Sequence, residues 1–217
     1  MMQKRTISAE LAMAEIAIEN ALQNPDTLKK LSAYNYDRKR LLEGKSLKEE
    51  VQMLESVKQD KYGQQFSSTD SMKAQRKEIV QRYRQHSKRA RLAFEGQRGT
   101  LEQLQLLGNR KMDTNGLMMQ VYAFYSKIVL FAEEMSKYNI SPEELAQSKA
   151  MVEALSAARQ QQVQSKGQAQ DATQKRNAKR KELNAWMMQF RKVARIALTD
   201  EPQMLETLGI LVPTQKV

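Results

Sequence analysis

The residue whose type most directly suits acid–base chemistry is His86, the single histidine and the side chain whose ordinary pKa lies nearest neutrality. A Ser–His–Asp arrangement would require His86, and no nucleophile-elbow pattern accompanies it. At helical spacing around it stand Ile79, Tyr83, Ala90 and Ala93, so His86 reads as a core or boundary residue. Di-iron and di-manganese bundles need Glu-x-x-His pairs on facing helices, and the chain has none. Cysteine is absent, which excludes disulfides, thiolate nucleophiles and Cys-based zinc sites. The acidic pairs Glu49-Glu50, Glu133-Glu134 and Glu143-Glu144 are adjacent, so each points in two directions on a helix. They read as solvated charge or as complements to a helix N-terminus. Phosphate-loop and dinucleotide fingerprints are missing. The expectation is a protein that is not an enzyme, with no catalytic, metal-binding or cofactor-binding residues.

Charge offers a different chemistry, attraction to an anionic partner. Of the net +11, residues 73–91 and 175–195 together carry +14, leaving −3 for the rest of the chain. On a helical wheel, Lys73, Arg76, Lys77, Arg84, Lys88 and Arg91 form one basic flank. Arg180, Lys181, Arg191, Lys192 and Arg195 form the other. Such a flank suits nucleic-acid phosphate, an anionic membrane surface or an acidic protein. It equally suits a solvated helix face whose long stems cover apolar surface. No RNP-type aromatic strand or zinc-finger spacing accompanies it.

The two flanks correspond because the sequence repeats at an offset of 104 residues. Ala74–Leu104 and Ala178–Leu208 share twelve of 31 positions without a gap, and Tyr34-Asn35 recurs as Tyr138-Asn139. A fixed period of this size indicates two copies of one supersecondary unit. Ile79, Tyr83, His86, Ala90 and Ala93 have as counterparts Leu183, Met187, Phe190, Ala194 and Ala197, an apolar stripe in both copies. The second copy has Trp186 and Val193 where the first has Arg82 and Arg89, so its apolar face is broader.

Helix formers dominate the elements that would position these residues, with only eight Gly and four Pro in 217 residues. In the first copy a helix over 8–23 with Ser8 as N-cap is followed by another over 27–42, with a weak point near Tyr34-Asn35-Tyr36. Gly44 then stops the chain and Ser46–Glu49 restarts it as a capping box. The Gly/Ser-rich patch 63–71 turns the chain into a third helix over 72–94, and 100–107 forms a short closing helix. In the second copy Asn115-Gly116 opens a helix to Lys137, Ser141-Pro142 caps the next, and a third reaches Leu198. Asp200–Pro202 starts the closing helix and Gly209 ends it. The apolar-poor run 159–179 fits either a hairpin near Gly167 or one rod of roughly 75 Å; the aligned Gly63 and Gly167 favour the hairpin.

Met118-Met119, Tyr122, Phe124, Tyr125 and Phe131 form the richest apolar–aromatic face. With Trp186, the residues Met118, Tyr122, Tyr125 and Phe131 are candidates for an interface between the copies or between chains. Residues 117–132 are too few for a membrane span and include Gln120, Ser126 and Lys127. Glu10, Glu15 and Glu19 interrupt any export leader, so a cytoplasmic location is the default expectation.

The segment ELNAWMMQFRKVARIALTDEPQMLETLGI resembles a terminal signature of uncharacterised bacterial helical-bundle proteins. There a polar helix leads through an "R..ariAL" segment to a short Pro-initiated helix and a Gly-Ile stop. The likeness covers about 180–210, with an echo over 76–107 in which Arg98 stands for Pro202. It implies a bundle fold and brings no catalytic residues.

The expected fold is all-α, a tandem duplication of an antiparallel three-helix bundle with a short closing helix, related by a pseudo-twofold. The expected domains are 1–108 and 109–217. The expected role is a non-catalytic structural or protein-interaction module, binding a protein partner or a second copy. A nucleic-acid binder using the basic flanks, and a membrane-active helical protein, are the alternatives. No small-molecule substrate is indicated.

Overall fold

The computed structural model describes residues 6–108, 111 and 113–211. Among them every regular element is helical. Helix α1 spans Ile7–Gln23, α2 Pro25–Ser32, α3 Arg38–Ala93 and α4 Arg98–Gln103. Helix α5 spans Thr114–Ile128, a 3-10 turn Val129–Phe131, α6 Ala132–Ser136, α7 Pro142–Ala197 and α8 Pro202–Thr207. Helices α3 and α7 each have 56 residues, and both their ends stand 104 residues apart, as do those of α4 and α8.

Local chemistry explains most of the boundaries. Thr6, rather than Ser8, caps α1 by accepting from the Ala9 N–H at 3.3 Å. Asn24 caps α2 by accepting from the Asp26 and Thr27 N–H groups. Asp113 caps α5 through the Gly116 N–H, and Ser141 caps α7 through the Glu144 N–H. Asn35 and Asn139 end their helices in the left-handed region, at φ of 63° and 59°. The Tyr36 N–H then reaches the Leu31 carbonyl, and the Ile140 N–H the Met135 carbonyl, both at 3.1 Å.

The expected hairpins are absent, for α3 and α7 are continuous. Gly63 and Gly167 lie inside them with open space where a Cβ would stand. Neither has the positive φ that a tight turn would use. In the Gly/Ser patch Ser68 donates back to the Gln65 carbonyl at 3.0 Å, satisfying its hydroxyl without leaving the helix. Gly44 and Ser46 do not interrupt α3 either. Gly44 is needed for close packing against Trp186.

Contacts divide the chain into two compact units, Met1–Lys61 with Gln168–Val217, and Tyr62–Gly167. This division differs from 1–108 and 109–217, because each unit draws on both sequence copies. In unit 1 the small face of α1 (Ala14, Ala17, Ala21 and Ile18) packs with Leu41 and Val51 of α3. Leu183, Trp186, Met187 and Phe190 of α7 and Leu205 of α8 complete that core. In unit 2 Ile79 and Tyr83 of α3 pack with Val121, Phe124, Tyr125 and Ile128 of α5. Leu104 and Leu106 after α4, Met135 of α6, and Leu145 and Val152 of α7 join them. The opening helices of each copy are thus buried against the long helix of the other.

Long-helix pairing is antiparallel in both units. In unit 1 Glu55 meets Arg176 and Glu50 meets Lys179. In unit 2 Thr69 meets Gln162, and Arg82 donates to Gln147 at 3.0 Å. No helix among the described residues is long and apolar enough to cross a membrane.

Candidate interaction surface

Helix α5 has two apolar faces. Val121, Phe124, Tyr125 and Ile128, at i, i+3, i+4 and i+7, are fully buried in the unit 2 core. The face carrying Met118, Met119 and Tyr122 borders solvent, with Met119 73% and Tyr122 55% exposed. It lines a groove of about 830 Å³ together with Met72 of α3 and Val152 and Leu155 of α7. Arg76 of α3 and Arg159 of α7 bring cations to the same groove. A contiguous exposed apolar surface with a polar border is the usual mark of an interaction site.

Beside it on α3 lies a second depression of about 470 Å³, lined by Lys73, Arg76, Lys77, Val80, Arg84 and Leu117. Arg76 lines both depressions. Of the remaining basic candidates in the first copy, Lys88 is exposed, whereas the Arg91 Nε–H donates to the Leu106 carbonyl at 3.2 Å. Arg91 thereby ties the segment after α4 to α3.

The second copy uses its cations differently. Arg180 grips the Glu10 carboxylate with Nε and Nη2 at 2.6 and 2.7 Å, and Asn184 adds a third donor at 3.3 Å. Its charge is spent within unit 1, and the Glu10 hydrogen bond raises its pKa further. Lys181 and Arg195 are exposed and Arg191 is half-buried. Lys192 lines a separate depression of about 400 Å³ with Tyr36 and Arg40.

The five interface candidates separate in the same way. Met118 and Tyr122 line the groove. Tyr125 is fully buried in the unit 2 core. Phe131 is half-buried, its ring edge-on to Phe94 with centroids 5.2 Å apart. Trp186 lies in the unit 1 core, stacked on Phe190 at an interplanar angle of 7°. Tyr125 and Trp186 are therefore packing residues with no face for a second chain.

His86 is completely buried, and its ring bridges two elements. Burial pushes the Tyr125 phenol well up, so its O–H remains protonated and donates to His86 Nδ1 at 3.0 Å. The Nε2–H can then donate to Glu144 at 3.0 Å. Burial lowers the imidazole pKa more strongly than the Glu144 hydrogen bond and charge raise it. The arrangement can hold a neutral histidine as a hydrogen-bonded strut between α3, α5 and α7. No cluster of three or more potential metal-ligating side chains occurs among the described residues.

Met72, Met119, Val152, Leu155 and Arg159 are among the groove residues that the sequence reading did not assign to a site. One signal was available. At the repeat offset, Met72 corresponds to Arg176, Met119 to Glu15, Val152 to Lys48 and Arg159 to Glu55. At three of these four positions unit 2 thus has an apolar side chain where unit 1 has a charge, and at the fourth the charge is reversed, which marks a place where the two units differ.

Set against protein-family models, curated proteins and solved structures, the chain matches none of them.

Proposed function

We propose that this chain is a non-catalytic interaction module in which a duplicated helical unit, its copies related by a pseudo-twofold, presents the unit 2 groove to another protein. The repeated helix boundaries and the exchange of opening helices between copies support the duplicated, twofold-related design. The interaction role rests on one observation, the solvent-facing Met118–Met119–Tyr122 surface above a groove with cations at its border. A photo-crosslinking amino acid at position 119, introduced in the protein's native cells, tests it. Expected is a protein adduct at 119 and none at the corresponding position 15 of unit 1. Absence of any protein adduct at 119 overturns the reading.

Nucleic-acid binding is the second reading, favoured by the exposed Lys73, Lys77 and Arg84 around the basic depression. It requires retention on RNA or DNA at low salt, with affinity falling steeply as salt rises. A membrane-active role finds no support in α5, whose Phe124, Tyr125 and Ile128 are packed inside unit 2.

A further inference from the structure

Lys73, Lys77, Gln81, Arg84 and Lys88 form one solvent-facing stripe on the part of α3 that belongs to unit 2. At about 100° per residue they fall within roughly 80° of one another around the helix. The stripe holds neither an acid nor an apolar side chain, and none of the five lines the apolar groove. Glu78 lies off it and is turned to Arg82, 3.1 Å away. Among the described residues the stripe's one ion pair joins Lys73 to Asp70 at 3.9 Å, with both side chains well exposed. We infer that the stripe is a ridge that holds duplex DNA by its phosphate backbone without reading sequence; this deepens the nucleic-acid reading above and rests on it.

Unit 1 treats the matching stretch of α7 differently. The aligned residues there are Asn177, Lys181, Ala185, Met188 and Lys192, only two of them cations. Neighbouring cations are neutralised within that unit, Arg176 by Glu55, Lys179 by Glu50 and Glu182, and Arg180 by Glu10. The concentration of exposed positive charge therefore belongs to the unit 2 stripe and not to the repeat as such.

The make-up of the ridge selects its occupant. Its cations stand about 6, 10 and 6 Å apart along the axis, a row of about 22 Å. DNA carries one charge per about 1.7 Å of duplex, so each cation finds a phosphate in any register. Gln81 adds an amide donor of the kind that binds phosphate oxygens. Contacts between proteins centre on apolar or aromatic anchors and are depleted in lysine, whereas the centre here is Gln81 between cations. A membrane surface holds such a helix by an inserted apolar edge, and a single strand by aromatic rings on which its bases stack; the stripe has neither. Double-stranded RNA is recognised through its 2′-hydroxyls, and four side chains that only donate leave the hydroxyl proton unmatched. Charge and donors alone are the chemistry of contacts to a DNA backbone, which position without specifying.

The test uses the full chain and a fluorescein-labelled DNA duplex of about two helical turns, with anisotropy followed over a series of salt concentrations. The logarithm of affinity is expected to fall against the logarithm of salt with a slope of about −3 to −4, as for four phosphate contacts. The pair Lys77→Gln and Arg84→Gln should make that slope shallower by about 2. The charge-matched pair Lys181→Gln and Lys192→Gln of unit 1 should leave it unchanged. All four positions are exposed, and unchanged circular dichroism checks that the variants fold. A duplex of unrelated sequence should bind equally. Equal effects of the two pairs would trace binding to net charge and overturn the inference, as would tighter binding of an RNA duplex or of a single strand. Loss of binding to phosphatidylserine–phosphatidylcholine vesicles in the Lys77–Arg84 pair, with duplex binding intact, would assign the ridge to a membrane and overturn it too. DNA binding that survives the Lys77–Arg84 pair removes this inference and leaves the nucleic-acid reading standing. No binding of any nucleic acid at low salt removes both.

Discussion

Gly44 lies directly against the indole of Trp186: a Cβ at position 44 would stand 2.5 Å from both Cη2 and Cζ2 of that ring. The indole has little room to retreat, since it is stacked on Phe190 and meets the Tyr36 ring edge-on with centroids 5.6 Å apart. Gly44→Ala gains about 1 kcal/mol in helix propensity and loses about 1–3 kcal/mol to overpacking. The Cβ would meet two ring atoms at once, which places the site in the upper part of that range, so a net loss of up to about 2 kcal/mol is expected. Urea unfolding measures it, and wild-type stability in the alanine variant would contradict the packing described. Combined with Trp186→Leu, the two losses should fall short of additivity, because the clash needs both residues.

His86 should make stability depend on pH. Its pKa in the folded protein is lowered from the ordinary 6.5, chiefly by burial, so the unfolded chain binds the proton more readily. The stabilisation is therefore fully present above 6.5 and is lost as the pH falls through that value towards the lower folded pKa. The groups facing the ring are Glu144, Tyr125, Arg82 and Arg89. Chemical-denaturation midpoints should drop between neutral and mildly acidic pH in the wild type. His86→Gln, which retains hydrogen-bonding capacity but does not titrate, should flatten that slope. An equally steep slope in the glutamine variant would assign the effect to other groups.

Arg176 is nearly buried, and its Nη1 faces Glu55 Oε2 at 3.4 Å. Removing Glu55 alone strands the guanidinium, at a cost of about 2–3 kcal/mol once the partial exposure of the carboxylate is allowed for. Replacing both residues should recover most of that loss, with methionine at 176 as the aligned Met72 suggests. Thermal or urea unfolding of Glu55→Ala, Arg176→Met and the double variant forms the cycle. A double variant no more stable than Glu55→Ala would show that the pair is not the source of the loss.

Cutting the chain between the two sequence copies should not separate them. Each compact unit takes residues from both sides of such a cut, with the α1 core completed by α7 and the α5 core by α3. A protease site inserted at 109–112 should give two bands under denaturation and one species near 25.0 kDa by light scattering in native buffer. Two separate fragments in native buffer would mean that each copy forms its own core.

Much of the secondary structure was legible because its causes are local. Ser141 and Pro142 announce the start of α7, whereas the helix expected over 27–42 is broken at its weak point, where α2 ends at Ser32, Asn35 takes the left-handed region and α3 begins at Arg38. The stripes through Ile79–Tyr83 and Leu183–Met187 reach the cores that their periodicity predicts. Gly44, Gly63 and Gly167 misled because glycine marks either a turn or a close approach, and sequence does not distinguish them. At Gly44 the deciding factor is an indole 142 residues away in the chain.

The amino-acid order by itself determined that the chain is helical, that its pattern recurs after 104 residues, and where most helices begin. Those are consequences of propensity, capping and periodicity, each acting over a few residues. Only the tertiary structure decided that α1 is buried against α7 and α5 against α3, that Trp186 and Tyr125 are core, and that Met119 is not. Equivalent stripes in two copies can pair within a copy or across copies with the same local energetics. The choice is made by long-range packing, such as the fit of Trp186 over Gly44, which no short window of sequence contains.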